Sequence, residues 1–510
     1  MRLVDELLSI SADQLCGIAW VERDCNSDAT QTWRWSDVKK YTAFAASFLI
    51  DHSVGPGDRV VNLGANSLAW AVLDLACSAI NAVHVPIDSR FSPSQRERCI
   101  GLVEPKMLFG DAISKGVHDL GELLHQPSVS ERLETMVRPF QANELANILF
   151  TSGTTGCPRG VMLSHKNLIS NAHAKLDAMP QDHNDHRLNF LPFSHAYART
   201  CELTTWLISR SSMEVANSID GILTKAPLAQ PTLINGVPVF YDRLVAKWGQ
   251  AGGTKSALHE LLGERIRRLA SGGATLSDRV RALFAKVNMP IFQGYGLTEG
   301  SPVVCSNRAG VGPENAILNE VGPPVNGVEI KLDSDSRLWV SGDGVMLGYW
   351  REPEATRAKL VDRWLDTGDL AEFVSGANSD QDKSVIRILG RADDTIVLSN
   401  GYKVQPFPIE KILKSQPWVS QCMLVGGNCP HTVLLLKLTS PVEADVASLA
   451  GYQSQVELLL SDFPRHAIPK QLVVVEDAWT TDNGMLNFKG GLNRKAIEAE
   501  FERLRRSPLT

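Results

Sequence analysis

The stretch DRVVNLGANSLAWAVLDLACSAINAVHVPID, residues 58–88, decides the fold class. It opens with a short valine-rich run, continues with a long apolar segment, and closes with a second run, VHVPID. The middle segment has the length of a buried helix, and the two flanking runs have the β-branched residues typical of strands. A strand, a helix and a second strand in this order predict two parallel strands joined by a crossover helix.

This segment is also the most apolar in the chain, yet it contains Asp74 and Asn81. Polar residues at these positions favour a buried helix followed by a strand over a membrane span. The opening MRLVDELLSI carries Asp5 and Glu6, where a signal peptide would need an uninterrupted apolar run. We therefore expect neither a signal peptide nor a transmembrane segment, and peripheral membrane contact stays open.

A second unit of the same kind spans residues 265–296, as RIRRLASGG, LSDRVRALFAKV and MPIFQGYG. Two such units predict an α/β fold whose large N-terminal domain, residues 1–390, has parallel-rich sheets flanked by helices. From Gly327 onward, short runs joined by turns predict a small β-barrel-like part, with the polar SGANSDQDKS at residues 375–384 as a hairpin tip. Residues 391–510 read as a small, mobile α+β C-terminal domain.

Composition narrows the function classes. The 510 residues exceed what one hydrophobic core usually supports, so two or more domains are expected. A net charge of −6 argues against nucleic acid as the main partner. The nine cysteines include no CxxC pair and no zinc-like spacing, which favours reduced thiols in a cytoplasmic protein.

The stretch ILFTSGTTGCPRGVMLSH, residues 148–165, concentrates hydroxyls and glycines directly after an apolar run. Free backbone N–H groups and hydroxyl donors on a bendable loop suit phosphate oxygens, and Arg159 adds a permanent positive charge. The loop lacks the Lys-Ser/Thr ending of a Walker A motif, so a P-loop nucleoside triphosphatase fits poorly. A solvated turn is the plain alternative, which the apolar runs on both sides weaken.

This loop and several other stretches resemble the adenylate-forming acyl-CoA synthetases. The similarity extends in register along nearly the whole chain. The similar stretches are GDRVVNLGANSLAW, AINAVHVPIDSRFS, TSGTTGCPRGVMLSH, LPFSHAYART, SGGATLSD, GYGLTEGSPV, VSGDGVMLGYW, WLDTGDLAEF and GRADDTIVLSNGYKVQPFPIE. Within the family, LPFSHAYART, PTLINGVPVFYDRL and GYGLTEGSPV look most like long-chain fatty acyl-CoA ligases.

The resemblance implies an ATP site assembled from these stretches. The implied phosphate residues are Thr151, Ser152, Gly153, Thr154, Thr155, Gly156 and Arg159. The implied adenine and ribose residues are Gly272, Gly273, Ala274, Gly294, Tyr295, Gly296, Asp369 and Arg391.

Individual roles follow from the same resemblance. Glu299 would hold Mg²⁺ together with phosphate oxygens and water, and Thr298 would donate to the α-phosphate. Tyr295 would stack on adenine. Asp369 would accept both ribose hydroxyls, because a carboxylate offers only acceptor sites, and Arg391 would also reach the ribose. Taken singly, a Thr-Glu pair is more often a helix cap and a TGD aspartate more often a turn residue.

On the side of the acid and the thiol, His195 is expected near the acyl carboxylate, although a lone histidine is more often structural. Asp393 falls at the hinge on which the small domain would swing between two half-reactions. Gly401 would border the channel for the pantetheine thiol. The implied lining of the acyl pocket is Gly236, Val237 and Pro238.

The pattern departs from the family near the C-terminus. In TTDNGMLNFKGGLNRKAIEAEF, the position of the adenylating lysine falls on Gly491, and Lys489 lies two residues earlier. Because a glycine-rich loop can shift by two residues, we predict Lys489 as the catalytic cation, beside Thr298, Glu299 and His195.

The implied function is ligation of a medium- to long-chain fatty acid to CoA through acyl-AMP, with ATP and Mg²⁺. Two alternatives stay open: loading of an acyl carrier protein or arrest at acyl-AMP, and a non-catalytic nucleotide- or acyl-binding relative suggested by Gly491. A serine hydrolase has little support, because no G-x-S-x-G elbow occurs. A monomer or a homodimer is expected.

Overall fold

The protein is described by a computed structural model. The residues that it describes are 1–23, 29–111, 116–124, 132–151, 158–308, 320–374, 385–439, 446–480, 482–486 and 491–506.

Helices and strands alternate from the N-terminus to the loop that follows Thr151. The elements of this part are α1 Leu3–Leu8, β1 Ile18–Arg23, β2 Thr30–Arg34, α2 Trp35–Asp51, β3 Arg59–Asn62, α3 Leu68–Ile80, β4 Val83–Pro86, α4 Pro93–Val103, β5 Met107–Gly110, β6 His118–Asp119, α5 Leu133–Met136 and β7 Leu145–Thr151.

The alternation continues through the middle of the chain. Its elements are β8 Arg159–Ser164, α6 His165–Ala178, β9 His186–Asn189, α7 Ala196–Ala198, α8 Thr205–Ser209, β10 Ser212–Val215, α9 Ile219–Ala229, β11 Leu233–Gly236, α10 Pro238–Gln250, α11 Lys255–Leu262, β12 Arg268–Ser271, α12 Asp278–Lys286, β13 Ile291–Gly296 and β14 Val303–Ser306. A π-helix, Arg199–Thr204, lies between α7 and α8.

Strands dominate the next part, and a mixed region closes the chain. The elements are β15 Val328–Leu332, β16 Arg337–Gly342, β17 Gly348–Tyr349, α13 Pro353–Lys359, β18 Leu360–Val361, β19 Trp364–Phe373, β20 Ile386–Arg391, β21 Ile396–Val397, β22 Lys403–Val404, α14 Pro406–Lys414, β23 Val419–Val425, β24 Val433–Leu438, α15 Val446–Leu459, β25 Gln471–Val474 and α16 Arg494–Arg506.

Two large sheets form the bulk of the protein. The first has eight strands in the order β14-β13-β12-β11-β9-β10-β1-β2, and the second has seven in the order β17-β8-β7-β4-β3-β5-β6. In the first sheet, β1, β10, β9, β11, β12 and β13 run parallel, and β2 and β14 are antiparallel edges. In the second, β7, β4, β3, β5 and β6 are parallel. The predicted α/β fold with parallel-rich sheets is confirmed.

Residues 58–88 fold as predicted. Strands β3 and β4 pair in parallel, and α3 crosses between them. The helix begins where the Ser67 side chain accepts a hydrogen bond from the Trp70 N–H, and it ends at Asn81, which adopts a left-handed conformation with φ of 58°. Each residue of α3 is buried, which accounts for its largely apolar composition.

Asp74, the acid of that helix, is neutralised by a cation far away in sequence. Its carboxylate lies 2.7 Å from the guanidinium of Arg199, which begins the π-helix, and 2.9 Å from Nδ1 of His84. All three side chains are at most 4% exposed. Removing one partner of a buried ion pair typically costs about 3–5 kcal/mol, so this contact fixes α3 against the π-helix.

A third sheet forms the predicted β-barrel-like part. It has five strands, with β15-β16-β19-β18 in order and β20 beside β19, and its pairings are antiparallel. Residues 375–384, predicted as a hairpin tip, lie outside the described residues.

The C-terminal region has its own small sheet, β23-β24-β25, and its own core. Arg494, at the start of α16, donates to the Glu410 carboxylate over 2.6 Å and lies 3.4 Å from that of Asp394. These contacts tie α16 to the 3₁₀ turn Ala392–Asp394, where the hinge is predicted. Within the described part of the chain, no helix combines the length and the apolar character needed to cross a bilayer.

Candidate active site

A cavity of about 460 Å³ lies where the parallel strands of the two large sheets end. Loops at the carboxyl ends of such strands are the usual place for ligands in α/β folds. The segments directly after β3, β4, β10, β11 and β12, and the end of β13, supply much of the lining. These are residues 64–66, 87–90, 216–219, Val237, 272–274 and 294–298.

Two glycines of this lining meet specific backbone demands. Gly296 lies so close to β14 that an added Cβ would be 1.7 Å from the carbonyl oxygen of Pro302. Gly273 has a φ of 80°, in the left-handed region that favours glycine. Glycine therefore permits the close backbone contact at Gly296 and the left-handed backbone at Gly273, and neither position places a side chain in the cavity.

The carboxylate of Asp369 is the most enclosed acid among the predicted site residues. It accepts a hydrogen bond from the hydroxyl of Tyr295 and a second one, over 3.0 Å, from Arg391. Asp369 is 7% exposed, and burial raises the pKa of its carboxyl despite the opposing effects of Arg391 and Tyr295. Burial, helped by the Asp369 charge, also raises the pKa of Tyr295, so its hydroxyl stays protonated and donates.

Glu299 lies in the 3₁₀ turn Thr298–Gly300, and its carboxylate accepts a hydrogen bond from the Tyr349 hydroxyl over 2.8 Å. Burial and the neighbouring Glu299 charge raise the pKa of Tyr349, which keeps this hydroxyl a donor. The guanidinium of Arg159 lies 5.5 Å from the centre of the Tyr349 ring and 3.1 Å from the Glu352 carboxylate. Arg159, Tyr349 and Glu299 thus form one connected group.

The hydroxyl-rich loop is the connection between two paired strands. Thr151 ends β7, Arg159 begins β8, and the two residues face each other in the antiparallel register. Ser152, Gly153, Thr154, Thr155 and Gly156 lie outside the described residues.

Hydrogen bonds from Asn171 on α6 hold the turn that carries Thr298 and Glu299. The Asn171 amide donates to the carbonyls of Gly300 and Val303, and its oxygen accepts from the Val303 N–H. Thr200, on the π-helix, donates to the carbonyl of Ser301. Sequence reasoning missed both side chains, because nothing in their local pattern distinguishes them from other helical polar residues.

His195 also lines the cavity and belongs to a group of polar side chains. Its Nε2 lies 2.8 Å from the carboxylate of Asp88, which Arg90 also contacts over 2.7 Å. These two partners hold the pKa of Asp88 well below its usual range, against the effect of burial. Asp88 and Arg90 were not singled out from the sequence, although Asp88 closes the run VHVPID and Arg90 lies two residues further on.

The cavity brings together only part of the predicted site. His195, Val237, Thr298, and the glycines and aromatic of residues 272–274 and 294–296 line it. Asp369 reaches it through Tyr295. Other predicted residues are not among its lining: Thr151, Arg159, Gly236, Pro238, Glu299, Arg391, Asp393 and Gly401.

Two of the predicted residues of the C-terminal region, Asp393 and Gly401, lie in well-defined turns. Asp393 lies in the 3₁₀ turn Ala392–Asp394 that follows β20. Gly401 has a φ of 85°, and its N–H donates to the Leu398 carbonyl, so it lies in a tight turn. Lys489 lies outside the described residues. Gly491 is described and adjoins the bridge between Leu486 and Leu492.

Metal binding depends on how many ligands the protein itself offers. The described ranges contain no group of three or more His, Cys, Asp and Glu side chains suited to a metal ion. A magnesium ion at Glu299 would therefore take one carboxylate together with phosphate oxygens and water, which is a usual arrangement for Mg²⁺. The Glu299 carboxylate has acceptor capacity beyond the Tyr349 hydrogen bond, so it fits that role.

A cavity at the carboxyl ends of parallel strands, with a buried carboxylate beside it, is typical of a ligand-binding enzyme of the α/β class. The model of the AMP-binding enzyme family matches residues 18–350, and that of the AMP-binding enzyme C-terminal domain matches residues 393–504. The first match covers more than half of the chain, and the chain therefore belongs to the AMP-binding enzyme family.

Several characterised proteins are similar in sequence. A long-chain-fatty-acid–CoA ligase, FadD15, of Mycobacterium bovis is 28% identical over 477 residues, covering 79% of this chain and 78% of the relative. A feruloyl-CoA synthase of an Amycolatopsis species is 26% identical over 482 residues, covering 90% of this chain and 93% of the relative.

Solved structures share the fold. ATP-bound MatB from Rhodopseudomonas palustris superimposes with a TM-score of 0.82 at 23% identity, covering 99% of this chain and 100% of that one. The o-succinylbenzoate CoA synthetase MenE from Bacillus subtilis, in complex with the intermediate OSB-AMP, gives a TM-score of 0.79 at 21% identity and covers 98% of both chains.

Proposed function

We propose that the chain is an ATP-dependent acid–thiol ligase that activates a medium- to long-chain fatty acid as acyl-AMP and transfers the acyl group to CoA. The observation that carries this proposal is the buried Asp369 carboxylate, held by Tyr295 and Arg391 at the edge of a cavity between two parallel sheets. A relative named as a long-chain-fatty-acid–CoA ligase supports the fatty acid.

In the first half-reaction, a carboxylate oxygen of the acid attacks the α-phosphorus of ATP and pyrophosphate leaves. An anion approaches a polyanion in this step, so placed cations and donors must offset the repulsion. Arg159 and the hydroxyls of residues 151–155 would hold the β- and γ-phosphates, and Thr298 would donate to the α-phosphate. Mg²⁺, held at Glu299, would neutralise phosphate charge.

The nucleoside would be oriented by three residues of the chain. The Asp369 carboxylate would accept hydrogen bonds from the two ribose hydroxyls, while Arg391 opposes the effect of burial on its pKa and holds it in place. The ring of Tyr295 would stack on adenine, and residues 272–274 would let the base approach the backbone. The Tyr295 hydroxyl competes for Asp369, so nucleotide binding would displace or share that hydrogen bond.

The acid would lie against the wall formed by His195 and Val237. His195 pairs with Asp88, which Arg90 also contacts, and this carboxylate would fix the orientation of the His195 ring beside the reacting carboxylate. Lys489 would neutralise the carboxylate and α-phosphate oxygens as they join. In the second half-reaction, the thiol loses its proton, its sulfur attacks the acyl carbon, and AMP leaves.

The small C-terminal domain, residues 391–510, would turn about Asp393 between the two half-reactions, and Gly401 would then border the thiol channel. We expect a cytoplasmic location with reduced thiols, because the nine cysteines include no CxxC pair and no zinc-like spacing.

A second candidate function rests on Gly491. If no cation takes the place of the family's lysine, the chain would bind nucleotide and acyl ligands without efficient adenylation. It would still use acyl-AMP that is supplied to it, because the thiol step does not need that lysine.

The test is product analysis by mass spectrometry after incubation with ATP, Mg²⁺, CoA and straight-chain acids of increasing length. We expect AMP and an acyl-CoA with medium to long acids, and neither with Asp369→Ala. The exposed Asp343→Asn, which loses only an ion pair to Lys166, is the matched control. AMP formation that needs a carrier protein instead of CoA would assign the alternative acceptor, and absence of acyl-AMP with each acid would contradict the proposal.

A further inference from the structure

A lysine is buried in the wall of the cavity, outside the nucleotide site. Lys175, on α6, is 5% exposed and lines the cavity. Its Nζ donates to the hydroxyl of Ser306 over 3.0 Å and lies 3.0 Å from the sulfur of Met179. Since an ammonium group has three N–H donors, these two neighbours leave capacity for a third partner.

The surroundings of Lys175 do not balance its charge. Among the described residues, no carboxylate forms an ion pair with Lys175. Burial lowers the pKa of Lys175, and the nearby cations Arg308 and Arg268 lower it further. The other buried cations contrast with it, since Arg199 lies 2.7 Å from Asp74 and Arg187 lies 3.4 Å from Glu202.

An uncompensated buried ammonium group is costly, and proteins usually pair such groups. A charge-bearing side chain that is kept in a cavity wall without a protein counterpart is therefore a candidate ligand contact. The hydroxyl of Ser306 and the sulfur of Met179 orient Lys175 without neutralising it.

Lys175 lies at the interior side of an adenine segment. Met179, one turn along α6, packs with Phe292, which lines the cavity two residues before Gly294 on β13. The hydroxyl partner of Lys175, Ser306, faces Gly294 in the register of β13 and β14. Lys175 therefore lies between the levels of Gly294 and Phe292, on the interior side of the residues proposed for adenine.

The walls between the two ends are largely apolar, with Ala198, Cys201, Phe292 and Val303 among them. Cys201 lies on the π-helix, and burial raises the pKa of its thiol to about 11, so it stays neutral. An acyl chain whose carboxylate lies near His195 would pack against this wall and end near Lys175.

We propose that Lys175 binds an oxygen atom at the far end of the acyl chain, so that the preferred acid carries a terminal hydroxyl or a second carboxylate. This inference rests on the proposed function, because it takes the cavity as the acyl site. The shared chemistry is an acceptor oxygen. A carboxylate would supply the missing counter-charge, and a hydroxyl would supply only the hydrogen bond.

The test measures binding without turnover. Titration calorimetry, with a non-hydrolysable ATP analogue present, compares decanoic acid, 10-hydroxydecanoic acid and decanedioic acid. We expect the wild type to bind at least one oxygenated acid tenfold or more tightly than decanoic acid. In Lys175→Met, that acid should lose about tenfold or more in affinity, while decanoic acid binds at least as tightly as before.

Lys166→Met is the matched control, because Lys166 lies on the same helix, is 45% exposed and pairs with Asp343. It should leave all three affinities unchanged. Equal selectivity in the wild type and Lys175→Met, or undetectable binding of the three acids to the wild type, would overturn the proposal. If Lys175→Met does not fold, the wild-type preference alone decides.

Turnover separates this proposal from the function on which it rests. AMP release with equal affinity for the three acids would keep the ligase and reject the Lys175 contact. Selective binding of an oxygenated acid without AMP release would keep the contact and reject the ligase.

Discussion

The hydroxyl of Tyr295, at the end of β13 in the eight-stranded sheet, donates a hydrogen bond to the carboxylate of Asp369 on β19 of the five-stranded sheet. The contact joins residues 74 positions apart and brings two separate sheets together at the cavity. This hydrogen bond uses part of the acceptor capacity of the carboxylate that is proposed to accept the ribose hydroxyls.

We predict that Asp369→Asn weakens AMP binding by about 10–100-fold, because a hydrogen bond to a charged group contributes about 1.5–3 kcal/mol. Tyr295→Phe should stay within about threefold of the wild type, since it keeps the ring and removes only the competing donor. Titration calorimetry with AMP measures both. Unchanged affinity in Asp369→Asn would remove this residue from the ribose site.

The hydrogen bond from Tyr349 to Glu299 leads to a second prediction. Tyr349→Phe should raise the Mg²⁺ concentration for half-maximal activity by about three- to tenfold, because it releases the carboxylate that would hold the ion. The maximal rate at saturating Mg²⁺ should change little. Tyr452→Phe, in the C-terminal region, is the control, and an identical Mg²⁺ dependence in the two variants would contradict the assignment.

The C-terminal cation leads to a third prediction. Lys489→Ala should lower acid-dependent AMP formation by about a hundredfold or more, because the joining oxygens would lose their cation. Placing the cation at the family's position, as Gly491→Lys in the Lys489→Ala background, should restore a measurable part of the rate. Thioester formation from supplied acyl-AMP should survive in Lys489→Ala, whereas wild-type AMP formation in that variant would exclude Lys489.

A fourth prediction concerns stability and pH. His165 is 1% exposed, packs edge-on against Phe140, and has neither ring nitrogen hydrogen-bonded to a described residue. Burial lowers its pKa from 6.5 to about 4. The folded state therefore resists a proton that the unfolded chain accepts, so the contribution is present above pH 6.5 and is lost as pH falls toward 4.

The loss should approach about 3 kcal/mol of unfolding free energy at the acid end. His165→Phe should remove it, so its denaturant-derived stability should fall less than that of the wild type between pH 7 and pH 4.5. Equal losses in the two proteins would show that His165 does not contribute to the acid sensitivity.

The sequence predicted the local units of the fold well. The strands and helix of residues 58–88, and those of residues 265–296, follow from short-range periodicity and from the caps at their ends. The order of strands in the sheets did not follow, because β1 beside β10 or β14 beside β13 depends on pairings between distant segments. The acid Asp74 was correctly placed in a buried helix, but its partner Arg199 lies 125 residues away.

The residues of the candidate site likewise fall into two groups: those that a sequence motif marks and those that only the folded structure brings to the cavity. Residues on recognisable motifs, such as Thr298, Tyr295 and His195, were found and do line the cavity. Lys175 and Asn171 lie on a helix whose pattern is that of an ordinary amphipathic segment, and only the packing of α6 against β14 turns them toward the site. Such residues have no local signal.

The proposed reaction joins an acid to AMP. Acid-dependent exchange of labelled pyrophosphate into ATP measures that step directly, without a thiol. We predict exchange that rises with acid concentration in the wild type and falls by about a hundredfold or more in Glu299→Gln. Nucleotide binding without exchange across acids of all lengths, plain and oxygenated, would contradict it.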